Sequence, residues 1–366
     1  MRPRFRDRLR GGILTRASEG RTLSLAAMSG LLRGAAAVGV LLLAAATASA
    51  QTFEAAGTRA AGMGGAFVAV ADDASAVYWN PAGLAKGAFF SLVLDHNLGE
   101  TSPDGGSPAG SESATFVGLA VPALGLTYYR LRSTTVDEAV VPLTQLDLPR
   151  NLNGLGVRVS SLVTHHAGVS LVQSLTDSIS VGTTLKLVRG VAARGFVAPG
   201  EPADLLDRAD DLIGAAGNQF DADIGILAAF GTLQAGLAIR NVREAAFDIA
   251  GGGEELRLER QVRAGAALTL ATGLLMSADL DLERVHGRLG EVRNFALGAE
   301  GQLTRRLAVR GGFRVNTLGG QPGGRAPVAT AGGSFAAYGS LLVDGQVTLG
   351  GEESPRGWGI GARVIF

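Results

Sequence analysis

The chain has few of the features that identify a soluble enzyme or a nucleic-acid-binding protein. Its 366 residues include no cysteine, which is compatible with a compartment where free thiols would oxidise. The 33 basic and 33 acidic residues cancel, so the chain lacks the cationic surface that nucleic acids require. Aromatic residues amount to only 5%, and after the first fifty residues no segment is apolar enough to span a membrane as a helix.

Catalytic and cofactor motifs are missing as well. The four histidines, His96, His165, His166 and His286, show no H-E-x-x-H or other ligand spacing. No G-x-S-x-G element provides a nucleophile. A dinucleotide loop at residues 62–67 is excluded because Phe67 stands where the last glycine of G-x-G-x-x-G is needed. We therefore predict no enzyme, and no catalytic, metal-binding or cofactor-binding residues.

What the chain has in excess is glycine, with 54 residues. These glycines follow no Gly-X-Y period and lie inside apolar stretches, which excludes collagen and flexible linkers. Glycine-rich strands are the interpretation that remains.

The first fifty residues are typical of an export signal. An arginine-rich stretch ends at Arg21, residues 31–46 are almost wholly apolar, and Ala48-Ser49-Ala50 is a small-x-small cleavage pattern. We expect a signal peptide over residues 1–50, with a possible true start at Met28 and a mature chain from Gln51. A membrane anchor is the alternative, although the apolar run is shorter than the roughly 20 residues of a spanning helix.

From residue 88 onward, apolar and polar residues alternate with the period of a strand whose two faces meet different solvents. In residues 256–270 and 274–283 the alternation is strict, and only Ala271-Thr272-Gly273 separates the two segments, which predicts a long hairpin. About fourteen such strands can be counted. The connections alternate between long and short, as in barrels whose termini are both periplasmic. The two longest predicted outer loops cover residues 133–160 and 190–217. We predict an all-β fold, a transmembrane antiparallel barrel over residues 88–366.

The last strand alternates up to an aromatic end. Trp358 and Phe366 belong to one face of this strand, and the pattern resembles the assembly signal that the barrel-assembly machinery recognises. A buried terminal strand of a soluble protein is the alternative.

The inward faces of the predicted strands carry charges of both signs. Because a charge facing lipid is costly, we assign them to the lumen. A structural polar interior and a substrate-specific ion site both remain possible. The predicted lumen charges are Lys186, Asp221, Asp223, Arg240, Arg257, Arg263, Asp279, Asp281, Glu300, Arg310 and Arg314.

Two predicted outer loops contain apolar residues that need a partner. Residues 202–216 can form an amphipathic helix. Packing of loop on loop is one interpretation, and a ligand or partner surface is the other. The residues proposed for that surface are Leu143, Leu146, Leu148, Leu205, Leu206, Leu212 and Ile213.

Residues 57–86 carry a family resemblance. The run Gly62-Met63-Gly64-Gly65-Ala66-Phe67, the pair Asp72-Asp73 and the run from Tyr78 to Leu84 resemble the N-terminal signature of the FadL-type superfamily of long-chain fatty-acid transporters. LGAE at residues 297–300 and LAVRGGFR at residues 307–314 are more similar to its PorV/PorQ branch.

The resemblance implies a fourteen-stranded outer-membrane barrel with a small N-terminal plug over residues 51–87. The plug or gate residues would be Phe67, Asp72, Asp73, Tyr78, Trp79, Asn80 and Pro81. We expect a non-enzymatic barrel that passes fatty-acid-like hydrophobic molecules. The alternatives are a type IX secretion component and a purely structural barrel. The expected partners are outer-membrane lipid, the barrel-assembly machinery, and either a hydrophobic small molecule or segments of secreted proteins, with no nucleic acid.

Overall fold

The computed structural model describes residues 56–101, 109–142, 155–249, 255–270, 273–287, 290–318, 327–351 and 355–366. Fourteen antiparallel strands form a closed barrel, in which the first strand pairs with the last. This confirms the predicted fold class and strand number. The signal peptide and Gln51 lie outside the described residues.

Along most of the barrel strands, more buried and more exposed residues alternate. Their bounds are β1 Ser91–Thr101, β2 Ala109–Val121, β3 Leu124–Pro142, β4 Leu155–Ser174, β5 Ile179–Val197, β6 Ala215–Phe230, β7 Leu233–Arg240, β10 Gln261–Thr269, β11 Leu275–Asp281, β14 Asn294–Gln302, β15 Leu307–Asn316, β16 Val328–Tyr338, β17 Leu341–Gly350 and β18 Arg356–Ile365. Four short strands form two extra hairpins, β8 Ala246–Asp248 with β9 Glu255–Arg257, and β12 Val285–Gly287 with β13 Gly290–Val292.

Short turns lie at the end of the barrel where β1 begins and β18 ends. Several of them need a positive φ, which glycine adopts without strain: Gly231 has φ 61°, Gly273 has φ 79° and Gly339 has φ 52°. The predicted pairing of the two hairpin strands is present, since β10 pairs with β11.

The outer surface of the barrel is a belt of exposed apolar side chains, including Leu126, Leu171, Leu185 and Ile360. The residues that alternate with them face inward and are buried, and many are polar. Among the described residues, no helix combines the length and the apolar character that a membrane-spanning helix needs.

The strands differ in length around the circumference. The strands β2 to β6, here called the tall wall, have 13 to 20 residues. The remaining barrel strands, the low wall, have 7 to 11. Much of the chain expected as loops, over residues 133–160 and 190–217, is therefore strand.

The hairpin β8–β9 packs its apolar side against the inner face of the tall wall. Phe247 and Leu256 join Leu162, Val188 and Ala192 in one buried cluster. This corrects the expected strand over residues 256–270. Its first part belongs to the hairpin, so Leu256 is buried inside instead of facing lipid.

Arg257 is consequently not a lumen charge. It lies on β9, its side chain is 53% exposed, and it pairs with Glu255 on the same short strand. The alternation that suggested an inward position belongs to a hairpin outside the barrel sheet.

A short helix, α3 (Pro202–Asp210), covers the upper part of the tall wall. Leu205 and Ala209 pack against Val136, Val157 and Val159. Along β3 and β4 these valines alternate with the inward-facing residues, so the helix lies on the outer face. The predicted helix over 202–216 is thus shorter than expected, because Ala215 and Ala216 belong to β6.

Candidate functional site in the barrel interior

Residues 56–87, here called the N-terminal segment, lie inside the barrel. They form the helices α1 (Thr58–Gly62) and α2 (Ala76–Trp79) and a 3₁₀ helix, η1 (Pro81–Lys86). Between residues 56 and 84 only Asp72 is exposed. The first helix contacts the low wall from β15 to β1, and η1 contacts β4, β5 and β6 on the opposite side.

A ring of wall glycines makes room for this segment. At each of them a Cβ would approach an atom of the segment closely, and at Gly182, Gly236 and Gly312 that atom belongs to its backbone. A side chain at these positions would overlap the segment. These glycines therefore form the part of the inner wall against which the segment packs. The ring consists of Gly118, Gly125, Gly182, Gly225, Gly236, Gly265, Gly298 and Gly312, one on each of eight strands.

The local fold of the segment depends on two polar side chains. The Asp73 carboxylate accepts hydrogen bonds from the backbone N–H and the hydroxyl of Ser75, 2.9 and 2.5 Å long, just before α2. Asn80 ends the helix in an extended conformation before Pro81. Its amide nitrogen donates to Val68 O and, across the interface, to Ile226 O of β6, at 2.8 and 3.1 Å.

Arg59 joins the segment to the low wall through ion pairs. Its guanidinium binds both oxygens of Glu300 on β14, at 2.7 Å from Nη2 and 2.9 Å from Nε, and it also contacts Asp72 and Asp73. Such a bidentate contact fixes orientation as well as charge. Burial lowers the pKa of Arg59, but these carboxylates raise it by more, so the side chain stays cationic.

Asp73 extends the network to the last strand. Its Oδ2 lies 3.3 Å from Nη1 of Arg363 on β18, which in turn binds Asp344 of β17 at 2.5 Å. Burial raises the pKa of Asp73, yet the positive charges of Arg363 and Arg59 outweigh it, and the net pKa is below the ordinary value. Arg310 joins the same network through Asp344 at 3.1 Å.

A second polar contact holds the middle of the segment. Oδ2 of Asp279 accepts the backbone N–H groups of Phe67 and Val68, at 2.8 and 2.9 Å. Beside it, Ser277 donates to Ala66 O at 2.7 Å. Two wall side chains on β11 therefore satisfy backbone groups that the irregular segment leaves unpaired.

Towards the tall wall the contact is mainly aromatic. Tyr78 meets Trp79 and Tyr129 edge to face, with ring centroids 5.9 and 5.4 Å apart, and Phe67 packs against Trp79 at 5.9 Å. Phe116 of β2 stacks on Tyr129. These five buried rings are called the aromatic seam, since they line the junction between segment and wall.

A layer of charges lies between the aromatic seam and the β8–β9 hairpin. Lys186 Nζ is 2.7 Å from Asp223 and 3.4 Å from Asp221, and it donates to Asn241 at 3.0 Å. Arg240 stacks over the Tyr78 ring at 3.5 Å. The layer is buried and its charges are opposed in sign, so it gives no net selectivity for one ion sign.

The sequence-predicted residues fall into four groups. Of the proposed gate residues, all but Asp72 are buried in the segment. Of the lumen charges, all but Arg257 face the interior: Arg263 binds Asp281 at 2.6 Å, and Arg314 is half-buried on the same face as Arg310. Trp358 and Phe366 are exposed on or beside β18.

The proposed loop surface is only partly present. Leu205, Leu206 and Leu212 pack with α3 on the tall wall, whereas Ile213 is 93% exposed. Leu143, Leu146 and Leu148 lie outside the described residues.

Sequence reasoning missed Arg59, Asp344 and Arg363, three members of the low-wall network. Asp344 and Arg363 alternate with apolar residues on their strands, so the same pattern that selected Arg310 could have selected them. Arg59 lies in the short helix α1, outside the alternating strands, and its sequence context gave no signal.

Comparison with known proteins supports the fold. A family described as "F plasmid transfer operon, TraF, protein" matches residues 113–281, less than half of the chain. No curated protein matches.

Solved structures match over nearly their whole length. The Ralstonia pickettii toluene transporter TbuX is 16% identical with a TM-score of 0.58, and the match covers 86% of this chain and 99% of that one. A Pseudomonas aeruginosa FadL homologue is 10% identical with a TM-score of 0.55, covering 84% and 98%. The Pseudomonas putida toluene transporter TodX is 13% identical with a TM-score of 0.55, covering 86% and 98%. The chain has the barrel fold of these FadL-type proteins.

Proposed function

We propose that this protein is an outer-membrane barrel that passes hydrophobic molecules, with the N-terminal segment as its movable plug. The aromatic seam carries the proposal. A pore for polar solutes needs a polar, wet lumen, whereas here five buried rings form the junction between the segment and the wall. An apolar molecule can replace such ring contacts without leaving polar groups unpaired.

The belt of exposed apolar side chains supports the membrane location. TbuX and TodX are toluene transporters by their descriptions, and the shared fold makes small hydrocarbons and fatty-acid-like molecules the first substrates to test.

A disulfide between segment and wall tests the plug. A Cβ added at Gly62 would lie 3.5 Å from the Cβ of Gln346 on β17, a separation that disulfides permit. The chain has no other cysteine, so Gly62→Cys with Gln346→Cys gives one defined cross-link. Uptake of labelled toluene and of labelled oleate is measured in cells that lack their own transporter, before and after oxidation. We expect oxidation to lower uptake at least about tenfold and reductant to restore it.

The matched control keeps the cross-link within the wall. Gly332→Cys with Gln346→Cys joins two adjacent strands, since the Cβ separation there would be 3.3 Å, and its oxidation should leave uptake unchanged. If both oxidised proteins take up substrate as fast as the parent, the plug does not need to move, and the proposal is wrong.

The second candidate is a PorV-like secretion component of the type IX system, and the tall wall favours it. This wall rises above the rest of the barrel and carries α3 on its outer face, a shape suited to a protein partner. Recovery of a type IX translocon protein with the parent, but not with a variant that lacks residues 199–213, would support secretion. Hydrocarbon uptake by that variant at the parental rate would separate secretion from transport. A structural barrel would show neither property.

A further inference from the structure

Two arginines and a histidine stand side by side on the outer face of the tall wall. Arg130 on β3 pairs directly with His165 on β4, and His165 pairs with Arg189 on β5. These three residues are called the outer basic row. Arg132 lies two residues further along β3, on the same face.

The row lies at the border of the exposed apolar belt. Tyr128, which precedes Arg130 on this face, is 49% exposed, and Leu187, which precedes Arg189, is 44% exposed. Beyond the row the face is polar or covered by α3, as at Thr134 and Val136. The row therefore marks the level on the long-loop side where the large exposed apolar side chains of β3, β4 and β5 end.

Within the part of the chain that the structure describes, neither Arg130 nor Arg189 forms an ion pair with a carboxylate. His165 is hydrogen-bonded to the Tyr128 hydroxyl at 2.7 Å. Arg130 and Arg189 lie on either side of β4, so an external anion at this place would offset two positive charges.

We propose that the outer basic row binds the phosphate of a membrane lipid headgroup in the leaflet on the long-loop side. Guanidinium groups match phosphate geometry with paired hydrogen bonds, and the exposed Tyr128 and Leu187 below the row would contact the acyl chains of the same lipid. The inference rests on the membrane location proposed above and is independent of transport.

Native mass spectrometry of the purified barrel in detergent tests this site, using bisphosphorylated lipid A and its dephosphorylated form as probes. We expect the parent to retain the phosphorylated lipid at least about tenfold better than the dephosphorylated one. Arg130→Gln with Arg189→Gln should lose that difference.

The control is Arg305→Gln with Arg306→Gln, which removes the same charge from exposed positions in a short turn at the other end. It should bind as the parent does. Equal binding by all three proteins, or equal weakening in both double variants, would overturn the proposal. Because the measurement uses no transport step, a negative uptake experiment would leave its result intact.

Discussion

The two walls of the barrel hold the N-terminal segment by different forces. The low wall uses charge: Arg59 and Asp73 of the segment pair with Glu300 and Arg363. The tall wall uses mainly shape and aromatic contact, with Tyr78 against Tyr129 as the centre, together with the hydrogen bond from Asn80 to Ile226 O. Both walls supply glycines to the ring that receives the segment.

This difference suggests which contact opens. Separating buried ion pairs leaves uncompensated charges and is strongly unfavourable, whereas aromatic contacts exchange for other apolar contacts at little cost. We infer that the contact with the tall wall parts first, and that passage also needs the segment to shift along the low wall, which the Gly62–Gln346 cross-link would prevent. A route for an apolar molecule would then follow the aromatic seam.

Gly312→Ala should destabilise the protein most, because it disturbs the fit of the segment against the low wall. A Cβ at Gly312 would overlap the backbone at Met63 and Gly64, and backbone atoms cannot turn away as a flexible side chain does. We expect a loss of about 3 kcal/mol in the free energy of unfolding, measured by urea titration in lipid vesicles, and faster protease cleavage of the displaced segment.

Gly311→Ala is the matched control on the same strand. Its Cβ would meet nothing nearer than Thr330 O at 3.7 Å, so the change should stay within about 0.5 kcal/mol. Equal losses in the two variants would mean that fit to the segment does not explain the wall glycines.

Asp73→Asn tests the ion pairs between the segment and the low wall. It removes the carboxylate that Arg363 and Arg59 contact, and we expect about 2 kcal/mol of lost stability at neutral pH. Since the folded pKa of Asp73 is lowered, the parent keeps this contribution above the unfolded pKa of about 4 and loses it as the pH falls through the folded value.

The measurement is protease release of the N-terminal segment between pH 7 and pH 3. The parent should hold the segment at pH 5 and release it increasingly at the acid end, and Asp73→Asn should show a shallower dependence. Identical pH profiles would contradict the role of this carboxylate.

The strand pattern was predictable because lipid and lumen impose opposite demands on alternate residues. Residues such as Leu185 and Lys186 show that contrast directly. The predicted strands ended too early on the tall wall because both faces of its upper part are covered by protein. Thr134 and Val136 are buried on the outer face and Ser133 and Thr135 on the inner face, so the contrast disappears and the stretch resembles a loop.

The interior was predictable only in outline. Inward charges such as Lys186 and Asp279 stand out on their strands, but their partners depend on which strand neighbours which and on an irregular segment far away in sequence. The bond from Phe67 N–H to Asp279 spans 212 residues. The ring of glycines carried no signal of its own, since a glycine facing the segment and one facing outward are identical in the sequence.

Arg257→Gln should change the stability of the protein least. It tests whether an exposed charge differs in its contribution from the buried charges of the barrel interior. Its side chain is half-exposed and, among the described residues, pairs locally with Glu255, an arrangement worth at most about 0.5 kcal/mol. Urea titration of the variant should therefore coincide with that of the parent, and uptake of toluene should be unchanged. A loss above about 1 kcal/mol in the free energy of unfolding would mean that Arg257 forms a buried ion pair in the barrel interior. The inward position predicted from strict alternation would then be correct.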